Sequence, residues 1–374
     1  MNERHQARIQ ADLGLAAARR GQFDKAASAL EKAIEVDPAA LEVHINLGAV
    51  YGHQGRHAAA RDCFERALAL DQGCAEAYSN LGGVLQELGA LDEAKAACCR
   101  ALELDAGNST AAFNLHALIY DEHNPAPAVE ALELALNADP EDERTRLFFG
   151  ILLEQRGQGA KAERQFAQLP LDEAGYHPGL DAWAYVKAKR GPKTQLVAPT
   201  VTTLQLALKQ ATLDGLVLEF GVRYGTTLQL IAAASHQAVH GFDSFQGLPE
   251  NWHDEPAGSY STHGVQPQAG ENAVLHAGWF EDTLPGFVAD HPGFVRFLHV
   301  DCDLYSSAAT IFRHLGPRIQ AGSIIVFDDY FLNPHWREDE FKAFQEAVAE
   351  YGWQYEYIAF SLFAKQAAVR ILSV

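Results

Sequence analysis

Positive charge is what this chain has least of: 29 Lys and Arg stand against 49 Asp and Glu, a formal net charge of -20. Nucleic acids and anionic membrane surfaces are bound chiefly through Lys and Arg, so neither is an expected partner. Long apolar runs are missing as well. Met1-Asn2-Glu3-Arg4-His5 opens directly into a polar, helix-like segment. Neither a signal peptide nor a membrane helix is therefore expected, and a cytoplasmic location follows. Cysteine is sparse: Cys63, Cys74, Cys98, Cys99 and Cys302 form an odd set without zinc-type spacing. That excludes a disulfide framework and a Cys/His metal site, and leaves buried thiols acting as small apolar groups. Cys302 lies between two aspartates, whose charge disfavours a thiolate, so it reads as a filler at a strand end.

What is present begins with a repeat. A chain of 374 residues exceeds what one hydrophobic core usually serves, so two domains are expected. Leu13-Gly14, Leu47-Gly48, Leu81-Gly82, Leu115-His116 and Phe149-Gly150 follow one another at intervals of 34 residues. A second register holds Ala26, Ala60, Ala94, Ala128 and Ala162, and a third Ala33, Ala67, Ala101, Ala135 and Leu169. Small residues let paired antiparallel helices approach closely, while Leu30, Phe64, Leu132 and Phe166 fill the gaps. Turns at Arg20-Gly21-Gln22, Gln54-Gly55-Arg56 and Leu88-Gly89-Ala90 separate the helices of a pair. The pattern resembles the tetratricopeptide repeat, as five units over residues 1–170. The resemblance implies a helical solenoid with a concave face for a protein partner, or else a spacer or dimerisation arm giving a homo-oligomer.

Residues 171–195 read as a connector punctuated by Gly175, Pro178, Gly179, Gly191 and Pro192, with a helical piece at Trp183-Ala184-Tyr185-Val186. A helix is expected over Thr200–Thr212. In residues 196–374 the buried-strand pattern Leu216-Val217-Leu218-Glu219-Phe220 is followed by Gly221-Val222-Arg223-Tyr224-Gly225-Thr226-Thr227. Glycines there let the backbone pass close to a ligand, and the threonines suit the start of the next helix as caps. The spacing is not the Gly-x-Gly-x-x-Gly of dinucleotide sites, so a ligand without phosphates fits better. Glu219, at the strand end, is placed to meet an ammonium group. Asp243-Ser244-Phe245 ends the second strand, where Rossmann-like sites hold ribose hydroxyls. Ala273–Ala277 leads into Gly278-Trp279-Phe280, whose aromatics suit stacking on a purine. The segment Gln246–Gly270 has the length and composition of a lid or substrate loop.

Two carboxylate clusters close the next apolar runs. Asp301-Cys302-Asp303 follows Phe297-Leu298-His299-Val300, and Asp328-Asp329 follows Ile324-Ile325-Val326-Phe327. Such runs fit neighbouring strands buried on both faces, with ligands bound at their carboxyl ends. Four acids gathered there need protons, a cationic partner or a hard divalent cation, and the cation is the favoured reading.

In this order the motifs resemble the class I S-adenosylmethionine-dependent methyltransferases. Asp243-Ser244-Phe245-Gln246-Gly247-Leu248-Pro249, Gly278-Trp279-Phe280-Glu281-Asp282-Thr283-Leu284-Pro285, Asp301-Cys302-Asp303-Leu304-Tyr305-Ser306-Ser307 and Asp328-Asp329-Tyr330 resemble the macrocin O-methyltransferases in particular. The two resemblances together imply an α-solenoid followed by a Rossmann-like, doubly wound α/β domain. They imply transfer of methyl from S-adenosylmethionine to a sugar hydroxyl, with Mg2+. The cofactor turn would be Glu219, Gly221, Arg223, Tyr224, Gly225 and Thr226, helped by Asp243, Ser244, Phe245, Gly278, Trp279 and Phe280. Magnesium prefers six oxygens, and Asp301, Asp328 and Asp329 are its expected ligands. Asp301 doubles as the base for the hydroxyl proton, and Asp303 is the alternative base, a support, or simply the cap of the next helix. His299 is expected to be packed and hydrogen-bonded. His335-Trp336 is placed over the acceptor. Rival readings are a glycosyltransferase using Asp301-Cys302-Asp303 as its Asp-x-Asp, and a non-catalytic repeat adaptor. The glycine turn, Asp243 and the second acidic pair stand against the first; retention of all the carboxylates stands against the second.

Overall fold

The structure, a computed structural model, describes residues 3–374, which fall into two compact units dividing between Gly157 and Gln158. Met1 and Asn2, part of the opening segment read above, lie outside the described residues.

The first unit is built from α1 (Glu3–Ala18), α2 (Phe23–Val36), α3 (Leu41–His53), α4 (His57–Leu70), α5 (Ala75–Glu87), α6 (Leu91–Leu104), α7 (Ser109–Leu118), α8 (Ala126–Ala138) and α9 (Glu143–Gln155). The even-numbered helices bury one register four times: Ala26, Leu30 and Ala33; Ala60, Phe64 and Ala67; Ala94, Cys98 and Ala101; Ala128, Leu132 and Ala135. Those positions share a helix face, so α2, α4 and α8 each lay a small-large-small stripe on a partner, while α6 has Cys98 at the middle position. The facing glycines are what let it close: a Cβ on Gly14 would stand 2.7 Å from Leu30 Cγ, and one on Gly48 2.7 Å from Phe64 Cε1. Helices α1, α3 and α5 stop at Gly21, Gly55 and Gly89, all at positive φ, and Arg56 N–H bonds Tyr51 O at 2.8 Å across such a stop. His123 takes the corresponding place in the fourth repeat, where α7 has already ended at Leu118.

The second unit contains α10 (Gly159–Phe166), α11 (Pro178–Lys189), β1 (Gln195–Val197), α12 (Thr200–Gln210), β2 (Leu216–Phe220), α13 (Thr226–Ala234), β3 (Val239–Asp243), β4 (Ala273–Ala277), α14 (Phe280–Asp290), β5 (Val295–Val300), α15 (Tyr305–Leu315), β6 (Ile324–Phe327), α16 (Glu340–Tyr351), β7 (Gln354–Ser361) and β8 (Gln366–Ser373). One eight-stranded sheet runs β1-β7-β8-β6-β5-β2-β3-β4. Its pairs are parallel except those of β8, which runs against both β6 and β7. Leu204, Ala207 and Leu208 of α12 and Leu228 and Ile231 of α13 pack with Val217, Val239, Phe297 and Val326 on one face. On the other, Phe287, Phe312 and Phe344 meet Phe242 and Phe327. The central strands are therefore covered on both sides, which explains their unbroken apolar runs. A Rossmann-like, doubly wound domain following a repeat solenoid is the fold expected from the sequence. The connector holds more order than expected: α11 spans about half of it, and β1 adds a parallel edge strand to β7. No helix among the described residues is long and apolar enough to cross a membrane.

Candidate active site at the carboxyl end of the sheet

Strand register brings the motifs together. Phe220 is abreast of Phe242 on one side and Val300 on the other, and Val300 is abreast of Phe327. The next residues, Gly221, Asp243, Asp301 and Asp328, thus emerge at one end of the sheet. Backbone bonds continue the ladder past the strands, from Gly221 N–H to Phe242 O, Asp301 N–H to Phe220 O and Asp328 N–H to Val300 O, each at 2.9 Å.

Gly221 has a specific reason to be glycine. Its φ is +96°, and a Cβ there would fall 1.6 Å from the carbonyl oxygen of Asp301. The glycine turn and the acidic strand end are in direct backbone contact. Gly225, at φ +78°, is itself the N-cap of α13, and no side chain caps that helix. The expectation that threonine supplies the cap is corrected: Thr226 is already the first helical residue. Asp243 braces the turn, accepting the Arg223 N–H at 2.7 Å and the Phe245 N–H at 2.6 Å. Burial pushes its carboxyl above the ordinary range, against the pull of those N–H groups and of Arg223. Ser244 accepts the Gln246 N–H and donates to Gly247 O, so it shapes the loop. The Phe245 side chain lies in the core, and its carbonyl accepts the Gly264 N–H at 2.9 Å. Gly278, at φ +143°, donates its N–H to Asp243 O, Trp279 stands at the N-cap position of α14 without a side-chain capping bond, and Phe280 packs edge-on against Phe220 at 5.1 Å. Tyr224 lies beneath the Arg223 guanidinium, 5.6 Å from ring centre to Cζ.

Glu219 differs from its expected placing. It is fully buried beside His299, whose Nδ1 is 3.0 Å from Glu219 Oε1, while Glu219 Oε2 and His299 Nε2 have no hydrogen-bond partner. An ammonium ligand would have to reach it beneath the surface. His299 is packed and hydrogen-bonded, as its strand position implied.

The acids crowd one another. Burial first, then Asp328 and Asp303, raise the Asp301 carboxyl well above the ordinary range; burial, then Asp329 and Asp328, do the same to Asp303. Asp328 is raised by burial and Asp329, with the charge of His299 acting the other way. Cationic and amide groups already answer part of this charge. Asp329 Oδ1 receives Lys365 Nζ at 3.2 Å and Asn333 Nδ2 at 3.2 Å, and Asp328 Oδ1 receives Gln366 Nε2. No group of three or more His, Cys, Asp or Glu side chains among the described residues stands arranged to hold a metal ion. The donors are all hard oxygens, the type magnesium takes, but as they lie they do not form a finished cage. Asp303 is not a helix cap either: Leu304 occupies that position, and Asp303 itself has φ +61°.

Sequence reasoning missed several neighbours. Glu340, the first residue of α16, is fully buried and accepts the Cys302 N–H at 2.9 Å. Tyr260 of the Gln246–Gly270 loop has its ring 5.0 Å from Arg223 Cζ, and burial followed by Asp303 raises its phenol above the ordinary range. That loop is tied down by His253 Nε2 to Asp339 Oδ2 at 3.0 Å and by Glu250 to Ser306 at 2.5 Å. His335 stacks on His253 at 4.2 Å, whereas Trp336 is wholly buried against Tyr185 and Phe341, so it does not overlie an acceptor. Glu340 had no sequence signal, because an acid in a first helical turn ordinarily reads as exposed.

Comparison with known proteins agrees with both units. Residues 218–330 match the family model described as a methyltransferase domain, and residues 11–73 and 53–119 match tetratricopeptide repeat models. Over 78 residues the chain is 33% identical to the 8-demethyl-8-(2,3-dimethoxy-alpha-L-rhamnosyl)-tetracenomycin-C 4'-O-methyltransferase of Streptomyces olivaceus, covering 21% of this chain and 25% of the relative. Over 122 residues it is 30% identical to the demethyldecarbamoylnovobiocin O-methyltransferase of Streptomyces niveus, covering 27% and 45%. The chain therefore spans less than half the length of these curated relatives. A crystal structure of a calicheamicin methyltransferase aligns with 46% of this chain and 77% of its own, at 22% identity and a TM-score of 0.39. The chain carries tetratricopeptide repeats in its first part and a methyltransferase domain in its second.

Proposed function

We propose that the second unit transfers methyl from S-adenosylmethionine to a sugar hydroxyl of a glycan or glycosylated natural product, with magnesium held by Asp301, Asp328 and Asp329. The observation that carries the reading is the backbone contact between Gly221 and Asp301, which brings the glycine turn directly against a half-buried acid cluster. Both named relatives are O-methyltransferases, and one acts on a rhamnosyl group by its name.

In this reading Gly221, Arg223, Tyr224, Gly225 and Thr226, with Asp243, Ser244, Gly278, Trp279 and Phe280, form the donor half of the site. Asp243 serves the ribose hydroxyls with the lone pairs its two N–H bonds leave free. Glu219 answers the donor's positive charge from below through the field of its carboxylate. Magnesium, when bound, lowers the pKa of an acceptor hydroxyl and fixes its direction of attack. Asp301 or Asp303 takes the hydroxyl proton. The Gln246–Gly270 loop, carrying Tyr260, shields this half from water. The repeat unit offers its concave face to a protein partner or a second copy of the chain, and the repeat domain extends to residue 170, through a connector to 195.

Titration calorimetry with S-adenosylmethionine and with nucleotide sugars, each with and without magnesium, tests the assignment. Binding of a nucleotide sugar alone would transfer the chain to the glycosyltransferase reading. Methylation that persists in chelator removes magnesium from the scheme. Deleting residues 1–170 with no change in acceptor use or assembly would remove the recruiting role of the repeats.

A further inference from the structure

We propose that Glu340 is a positioning residue, clamping the Asp301-Cys302-Asp303 turn in the shape that presents both aspartates, and that it does so by reach and not by charge. The meaning of that turn for methyl transfer rests on the reading above; the clamp itself does not.

Glu340 opens α16, where an acidic residue usually faces water and complements its own helix's N–H groups. Here it is fully buried, and its Oε1 crosses to another element to accept the Cys302 N–H at 2.9 Å. Its Oε2 is buried without a hydrogen-bond partner. Such a carboxylate is costly anywhere in an interior, and this one also faces Asp303, Asp328 and Asp329, which with burial raise its own pKa. An apolar side chain would fill the volume without that cost, so packing alone does not account for it.

The turn needs a clamp. Asp303 adopts φ +61°, a left-handed conformation that a residue with a Cβ keeps only where its surroundings hold it. The Leu304 N–H folds back to Cys302 O at 2.6 Å, so the turn is tight. The Cys302 N–H lies at the centre of this turn and is buried, so it requires an acceptor. The preceding residue, Asp339, bonds His253 of the loop at 3.0 Å. Two consecutive residues at the start of α16 thus grip the turn and the loop.

The test separates reach from charge. Glu340→Gln keeps the acceptor and loses the charge; Glu340→Asp keeps the charge and loses the reach. Hydrogen exchange at the Cys302 amide reads the clamp directly. In Glu340→Asp and Glu340→Ala exchange should rise by roughly tenfold or more, the size of one lost hydrogen bond, while Glu340→Gln stays near wild type. Mn2+ affinity, measured by calorimetry with S-adenosylhomocysteine present, should fall by about 10–100-fold in the Asp variant and little in the Gln variant. The opposite ranking, with Gln damaged and Asp intact, would make Glu340 a ligand or a charge and overturn the proposal. Unchanged Cys302 exchange in both Asp and Gln variants would also overturn it. Should the wild-type protein take up no Mn2+, the magnesium reading falls, and amide exchange alone still decides the clamp.

Discussion

The two units bury polarity in opposite ways. Among the described residues the first unit buries His44, Gln54, Ser79, His116 and Thr145 but no carboxylate. The second buries Glu219, Asp339 and Glu340 outright and keeps Asp301, Asp303 and Asp328 under strong mutual repulsion. The first is held by shape, with small residues facing large ones in register. The second tolerates unfavourable charge at one end of its sheet, and such strain is what a site stores and a scaffold avoids. Substitutions in the two units should therefore fail in different ways.

The largest effect is expected from Asp328→Ala, which should lower methyl transfer by about 10²–10³-fold, the scale of losing one electrostatic group at a reacting centre. Folding stability should hold or rise, since one of several repelling acids is gone, and S-adenosylmethionine affinity should stay near wild type. Kinetics, thermal melting and calorimetry on the one variant check all three. A fall in stability instead would make the acids structural and erase the contrast between the units. Gly221→Ala is the counterpart that should damage both properties, because its Cβ would meet the immobile backbone of Asp301.

In the repeat unit Gly82→Val inverts that pattern. Its Cβ would stand 2.4 Å from Cys98 Sγ, and the helices must part to admit it. The expected cost is about 1–3 kcal/mol of stability, as for other overpacked cores, read from urea unfolding. Turnover per folded molecule should not change.

A pH experiment sharpens the comparison further. Burial, outweighing the Phe113 carbonyl, lowers the His116 pKa to about 3. The unfolded chain accepts a proton near the ordinary value of 6.5 that the folded repeat refuses. Stability from this group is thus complete above about pH 6.5 and declines as pH falls toward 3. The slope approaches ~1.4 kcal/mol per pH unit. His116→Gln should flatten the dependence of the urea midpoint between pH 6.5 and 4.5, and a parallel curve in the variant would exclude His116 as its source.

Much of this was legible in the sequence because it depends on local pattern. The alanine register of the repeats recurs five times, and the apolar runs ending in Asp301 and Asp328 mark strand ends without any knowledge of their neighbours. What escaped depends on distant pairing. Gln195-Leu196-Val197 becomes a strand only because β7 lies beside it. Lys365 and Gln366 reach the acid pair because β8 runs antiparallel to β6, and Glu340 reaches Cys302 across the fold. Glu219 was readable as a strand-end acid but not as the partner of His299, since register between strands fixes that contact. Thr226 lost its expected capping role to Gly225, because the left-handed φ there sets where α13 begins.

The smallest expected effect tests whether scaffold polarity in the second unit behaves like that of the first. Tyr357 OH lies 2.6 Å from Tyr185 OH and 2.7 Å from Tyr330 OH, joining α11 and β7 to the residue that follows Asp329. Tyr357→Phe removes the shared hydroxyl with both its bonds and should cost about 1–2 kcal/mol. Because Tyr330 keeps its aromatic packing against Phe327 and Phe341, Asp329 should hardly move. Melting temperature should then fall slightly while turnover stays near wild type. Turnover lost without a change in melting would place the tyrosine group with the acids, and would extend the strained part of this unit well behind the strand ends.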